Sequence, residues 1–233
     1  MNHFDYAILH WFNQFVGRSG RFDSLVQFVS DCQFCKGSLF LLVIWWFWFA
    51  KSEKRTECRQ ILVATLAAAF VSIALGRLLA FCMPFRLRPS FNPASGLVYH
   101  QDTINGVMRT WSAFPSDHAM MFAALATGFC FISRSIGIAA FVYGLIVIDL
   151  PRVYLGLHHP TDVLAGAFIG AVVGCVLNLP EIRSRISSPV LRFQLNLESA
   201  FYAAFFLIST QIATMFSEPR EIVADLIRIA RGN

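Results

Sequence analysis

The chain has 233 residues, of which 56% are hydrophobic and 14% charged, with a mean hydropathy of +0.58. Soluble domains carry about 25% charged residues, so this composition argues against an ordinary water-soluble enzyme and predicts a polytopic helical membrane protein, one bundle accounting for the whole length. The formal net charge of +5 does not point to nucleic acid, because the cations are scattered through short loops between apolar runs instead of gathered in one patch.

The first residues lack the basic region and apolar core of a cleavable signal peptide. Residues 3 to 34 place Phe4, Ile8, Leu9 and Phe12, then Phe22, Leu25, Val26 and Val29, at roughly helical spacing, with Gly17 and Gly20 between the two sets. This predicts two amphipathic helices within 1–35 that lie in the membrane interface or pack on the bundle. The first strong span runs from Lys36 to Ala50, with tryptophans suited to an interface. A basic loop, KSEKRTECR, separates it from a second span over Ile61–Met83.

Residues 84 to 115 form the longest polar connection, broken by Pro84, Pro89 and Pro93, with His100, Asp102 and Arg109 as polar candidates read as ordinary surface. Further spans are predicted over Pro115–Ser133, Ile136–Leu150, Thr161–Leu177 and Leu197–Phe216. The tail over 217–233 has an apolar face and reads as an interfacial helix. The expected fold is therefore all-α, a transmembrane bundle of about six spans with amphipathic N- and C-terminal helices.

Cys58, Cys82, Cys130 and Cys175 read as small apolar fillers. Cys32 and Cys35 form a C-x-x-C pair, but no second pair or neighbouring histidine completes a zinc site. If the spans alternate, Lys51, Lys54, Arg55, Arg59, Arg134, Arg183, Arg185 and Arg192 share one face, which the positive-inside rule assigns to the cytoplasm. Arg86, Arg88, Arg109 and Arg152 fall on the opposite face.

Chemistry concentrates in RVYLGLHHPTD, Arg152 to Asp162, where an apolar run meets polar sequence. Pro160 suits the first turn of the following helix, so His158 and Asp162 lie about one turn apart and within pairing reach. A carboxylate against one ring nitrogen leaves the other basic and aimed, as a histidine nucleophile or general base requires. Two further clusters sit at segment ends that can share this face: FPSDH, with His118, and RLRP, with Arg86 and Arg88.

These three clusters resemble the signature of the type 2 phosphatidic acid phosphatase (PAP2) superfamily, K-x6-RP, then PSGH, then SR-x5-H-x3-D. The third part matches at Arg152, His158 and Asp162, with Pro151 in the Ser position. The second matches at Pro115, Ser116 and His118, with Asp117 in the Gly position. The first keeps Arg88 and Pro89 but has Phe81 where the lysine belongs. Arg77 or Arg86 could replace that cation, and Arg77 is favoured because an arginine inside an apolar stretch needs a partner or an anionic cavity. The resemblance covers residues 77–174, a motif-bearing core within a single membrane domain over 1–233. In the family the first motif closes the third span, whereas here it closes the second strong one.

The resemblance implies a lipid phosphate or polyprenyl diphosphate hydrolase. His158, oriented by Asp162, would be the nucleophile that forms a phosphohistidine, and His118 the general acid and later base. Arg88, Arg152 and Arg77 would hold the phosphate, with Ser116 and the helix N-terminus beside it adding donors. Asp117 would cap the helix or tune His118, the cap being favoured. No cofactor and no metal are expected, since arginines supply the positive charge. The expected partners are the lipid phosphate substrate and membrane lipids, not nucleic acid. Among substrates an undecaprenyl-type diphosphate at the outer face of a bacterial inner membrane is favoured, ahead of phosphatidylglycerophosphate, phosphatidate and lipid A phosphates. A transporter with arginines lining an anion path and a catalytically silent lipid-binding relative are the competing readings.

Overall fold

The computed structural model describes residues 1–51, 53–99 and 110–216. His100, Asp102, Arg109 and the tail over 217–233 lie outside the described residues. Every regular element among the described residues is helical. In chain order these are α1 (His3–Asn13), α2 (Gly20–Asp31), α3 (Leu39–Phe49, entered through a π-helical turn over Phe34–Ser38) and α4 (Arg55–Cys82). Then follow α5 (Asp117–Ile132), α6 (Arg134–Tyr143), α7 (Leu150–Tyr154, reached from α6 through a second π-helical stretch), α8 (Pro160–Leu177), α9 (Pro180–Asn196) and α10 (Glu198–Ala213).

Three helical stretches are long and apolar enough to cross a membrane: Arg55–Cys82, Arg134–Tyr154 and Pro160–Leu177. A fourth is obtained if Gly20–Asp31 and Phe34–Phe49, bent by 62° at their junction, count as one broken span. The sequence predicts about six. The difference lies in α5 and α10, which are 16 residues each, one or two turns short of the ~20 residues that a bilayer requires. Helix α9 is not among the predicted elements. It begins where Arg183 approaches Glu57 in the first turn of α4, at 3.7 Å, and its later part reaches Phe201, which stacks on Trp48 near the end of α3. Both ends of α9 therefore sit at one end of the bundle, and the helix lies across that end rather than along the bundle.

α5 is the central helix, with α4, α6 and α8 around it. Its approach to α8 is set by small residues at every fourth position of α8, a stripe that lets two backbones close together. A Cβ on Gly170 would stand 1.9 Å from the Met120 carbonyl oxygen, and one on Gly166 2.6 Å from that of Ser116. This contact brings the N-termini of α5 and α8 side by side, where the Ser116 amide donates to the Asp162 carbonyl at 3.2 Å. Both lie at the end of the bundle opposite α9, next to the end of α4. All three motif clusters consequently meet there.

Candidate active site

The spacing between Arg152 and His158 is produced by a helix stop followed at once by a helix start. α7 ends in a Schellman turn: Leu157 N–H donates to the Arg152 carbonyl at 2.9 Å and Gly156 N–H to that of Val153 at 3.1 Å. The turn needs a left-handed residue, and Gly156 supplies it at φ +68°. Two residues on, His159 caps α8, Pro160 takes its first position and Asp162 closes a capping box by accepting from the His159 amide at 2.8 Å. His158 is held between stop and start.

The segment after α4 is stitched onto this turn. Ala113 N–H donates to the Arg86 carbonyl at 2.8 Å, Arg86 N–H to the Ser112 hydroxyl at 3.2 Å, and Ser90 N–H to the Gly156 carbonyl at 3.0 Å. Arg88, nearly buried, thereby donates to the Leu157 carbonyl at 2.7 Å and stands 3.4 Å from Nε2 of His158.

His158 is 4% exposed, and its Nδ1 lies 2.8 Å from the Ala113 carbonyl oxygen. A carbonyl only accepts, so Nδ1 carries the proton and Nε2 presents its lone pair beside Arg88. Burial, reinforced by the Arg88 charge, pushes the imidazole down to about 3, and the ring is neutral at working pH.

This differs from the predicted His158–Asp162 pair. The carboxylate stands 3.9 Å from Nδ1 of His158, outside hydrogen-bonding distance. Asp162 is fully buried and is engaged instead by the His159 amide, by Nδ1 of His159 at 3.1 Å and by Arg86. The reason is local: as the N3 residue of α8 its carboxylate turns back to the capping residue. The orienting group of His158 is a backbone carbonyl from the loop before α5.

A carboxylate–imidazole pair does exist, on the other histidine. Nδ1 of His118 lies 3.1 Å from Oδ1 of Asp117, so Nε2 of His118 is the available nitrogen. The second oxygen of Asp117 takes the guanidinium of Arg77, which also lies over the Trp111 ring at 4.4 Å. Asp117 is thus not the cap of α5. Ser116 is, accepting from the Ala119 amide at 3.4 Å while fully buried.

Both arginines considered as replacements for the absent first-motif lysine are committed to carboxylates. Arg77 is on Asp117. Arg86 bridges Asp162 and Asp5, at 2.6 Å to the latter, and also donates to the Thr161 hydroxyl at 2.9 Å. Asp5 is fully buried and accepts in addition from the Thr161 amide at 2.9 Å and hydroxyl at 2.8 Å, so α1 is clasped to the start of α8.

Arg152, 5% exposed, donates to the Ile148 carbonyl at 3.2 Å and lies within electrostatic reach of Asp149, Asp117 and Arg88. Both imidazoles feel the charges of Asp117 and Arg152, and the bond from the Ser116 amide to the Asp162 carbonyl joins the two helix starts beside which they sit. Asp5, His159, Trp111 and the Ala113 carbonyl escape sequence reasoning. Asp5 is a lone carboxylate in an amphipathic stretch, and a carbonyl leaves no trace in residue identity. Among the described residues no group of three or more His, Cys, Asp or Glu side chains is arranged to hold a metal ion.

The cluster can therefore present one unprotonated ring nitrogen, a second imidazole held by a carboxylate, and buried guanidinium groups around them, a set suited to an oxyanion undergoing substitution.

Comparison with known proteins places this set in context. A sequence model described as the PAP2 superfamily matches residues 59–180. YbjG of Escherichia coli (strain K12), provisionally named an undecaprenyl-diphosphatase, is 28% identical over 136 residues, 58% of this chain and 62% of that protein. The alignment thus spans less than two thirds of YbjG. The undecaprenyl-diphosphatase BcrC of Bacillus subtilis (strain 168) is 26% identical over 152 residues, 65% of this chain and 71% of that one. The lipid A 4'-phosphatase of Bacteroides thetaiotaomicron is 39% identical over 92 residues, 38% of this chain and 40% of its own. Among solved structures, a transmembrane PAP2-type phosphatidylglycerolphosphate phosphatase from Bacillus subtilis aligns with a TM-score of 0.46 at 20% identity, over 74% of this chain and 82% of that one.

Proposed function

The chain belongs to the PAP2 superfamily, and on that premise we propose that it is an integral membrane phosphatase acting on a lipid phosphate or polyprenyl diphosphate without a metal ion. The carrying observation is the tautomer of His158: Nδ1–H is spent on the Ala113 carbonyl, and the lone pair of Nε2 lies beside Arg88.

In the first step Nε2 of His158 attacks phosphorus and the bond from phosphorus to the leaving oxygen breaks; burial keeps His118 neutral in the free protein, so the proton that its Nε2 gives to that oxygen is one taken from the bound phosphate monoanion as the substrate enters. The product is a phosphohistidine with neutral His118. In the second step His118 takes a proton from water as the water oxygen attacks phosphorus; the P–N bond breaks, releasing inorganic phosphate and regenerating His158. Asp117 stabilises the imidazolium of His118, and Arg88 and Arg152 hold the phosphoryl oxygens through forked contacts that a lysine does not reproduce. Arg77 acts through Asp117, and Asp162 acts through His159 and Arg86, as positioning groups.

We read the chain as one membrane domain: among the described residues α1 is clasped to the site and α10 packs on α3. The basic loops at the α9 end face the cytoplasm by the positive-inside rule, so the motif end opens outward from a bacterial inner membrane. An amphiphile with a wet headgroup and a tail in lipid suits that position. An undecaprenyl-type diphosphate is the preferred substrate, supported by the names of two relatives. The 39% identical stretch shared with a lipid A 4'-phosphatase supports a lipid A phosphate as the second reading.

The test is phosphate release by purified protein in detergent with excess EDTA, given undecaprenyl diphosphate, lipid A, phosphatidylglycerophosphate and phosphatidate in parallel. Release that vanadate blocks and that His158→Ala abolishes, with the fold intact, is the expected result. Undiminished release by His158→Ala removes the nucleophile, and release only in the presence of a divalent cation removes the metal-independent mechanism.

A further inference from the structure

With Arg77 and Arg86 both held by carboxylates, a cation from elsewhere in the fold can take the place of the one that the first motif lacks. Lys36 meets that description. It is 6% exposed, inside the π-helical turn that joins α2 to α3, and among the described residues no acceptor lies within hydrogen-bonding distance of its ammonium group. Its surroundings are cationic as well as anionic: Arg152, Asp31 and His118 all lie within electrostatic reach. Burying an ammonium without a hydrogen-bond partner beside an arginine is costly, and a lysine within an apolar segment ordinarily faces a partner or a functional cavity.

The backbone on either side of Lys36 is held in place. The Tyr143 hydroxyl donates to the Cys35 carbonyl, tying the turn to the end of α6. On the other side Gly37 lies against α10 so closely that a Cβ there would stand 1.9 Å from the Ala213 carbonyl oxygen. The same turn packs on the π-helical stretch Gly144–Asp149, the stretch leading to Arg152. Lys36 is therefore delivered to the cluster by two fixed contacts on a segment remote from all three motifs.

We infer that Lys36 is a phosphoryl-binding residue, supplying beside Arg152 the positive charge that the first motif lacks at Phe81. The inference rests on the phosphatase reading and narrows it, assigning the anion site to four elements instead of three. It also accounts for the bend between α2 and α3, since the bend is where Lys36 enters the protein interior.

The experiment uses the full chain in detergent, with orthovanadate as the phosphoryl probe and undecaprenyl diphosphate as substrate, comparing wild type, Lys36→Met and Lys36→Arg. Loss of one charge-assisted contact should raise the vanadate concentration for half-inhibition by about 10- to 100-fold in Lys36→Met and lower kcat/KM by a similar factor. Lys36→Arg should recover most of both. Without vanadate, Lys36→Met should unfold no earlier than wild type, because methionine removes a largely buried charge that makes no hydrogen bond among the described residues. An unchanged vanadate response, or a Lys36→Met protein that unfolds earlier or fails to fold, overturns the inference and makes Lys36 structural. A wild-type protein that neither releases phosphate nor responds to vanadate instead overturns the phosphatase reading itself.

Discussion

Replacing Asp5 by asparagine tests whether Arg86 belongs to the scaffold or to the phosphate site. The fully buried carboxylate accepts from the Thr161 amide at 2.9 Å, the Thr161 hydroxyl at 2.8 Å and Arg86 at 2.6 Å. Asparagine keeps one acceptor for the Thr161 amide but turns an NH2 group toward two donors, so the Arg86 contact is lost. Charged hydrogen bonds contribute about 1.5–3 kcal/mol each, and breaking a buried pair costs about 3–5 kcal/mol. Because the Arg86 side chain is 27% exposed, water recovers part of its solvation, and about 3 kcal/mol is the expected loss. That is roughly a hundredfold in the unfolding equilibrium. Arg86→Met should cost more, since it leaves both Asp5 and Asp162 uncompensated. The double variant should be less damaging than the sum by about 2 kcal/mol, as expected for partners in contact. Unfolding in detergent by a denaturant series, followed by circular dichroism, supplies the four free energies, with vanadate inhibition measured on each protein. Strict additivity would refute the clasp. A loss of vanadate affinity in Arg86→Met as large as in Arg88→Met would make Arg86 a phosphate ligand and refute the assignment from the other side.

Two further outcomes follow from the histidines. Asp117→Asn should lower kcat by about tenfold or more, because it weakens the hold on Nδ1 of His118 and frees Arg77; an unchanged kcat would show that the pair is structural. His158 binds a proton in the unfolded chain near its ordinary value of 6.5 but in the folded protein only near about 3. Stability is therefore full above about pH 6.5 and falls as the pH drops through the interval toward 3. At pH 5.5 this costs about 1.4 kcal/mol relative to pH 8. His158→Asn keeps a donor for the Ala113 carbonyl and cannot titrate, so its unfolding midpoint should lose less than wild type between pH 8 and 5.5. Parallel losses in the two proteins would contradict the burial of a neutral imidazole.

The helical class, the apolar segments and the three polar clusters at their ends were legible in the residues, because burial in lipid imposes long apolar runs and because helix stops and starts carry their own chemistry. Gly156, Pro160 and Asp162 write a Schellman turn and a capping box into eleven residues, and the spacing of Arg152 and His158 follows from them. The number of membrane crossings was less legible: α5 and α10 stop after 16 residues, and the polar tract holding Arg183, Arg185 and Arg192 coils into α9.

Which side chains pair with which was decided only by the tertiary structure. Asp162 lies four residues from His158, yet the cap of α8 turns its carboxylate to His159 and Arg86, while Ala113, 45 residues distant in the chain, holds the His158 ring. Asp5 reaches Arg86 across 81 residues, and Lys36 comes to lie near Arg152 from the far side of a bend. Helix chemistry is local, and one chain segment suffices to specify it. The partners of a buried charge are chosen among all the segments that packing brings to one place, and for that choice neighbouring sequence holds too little information.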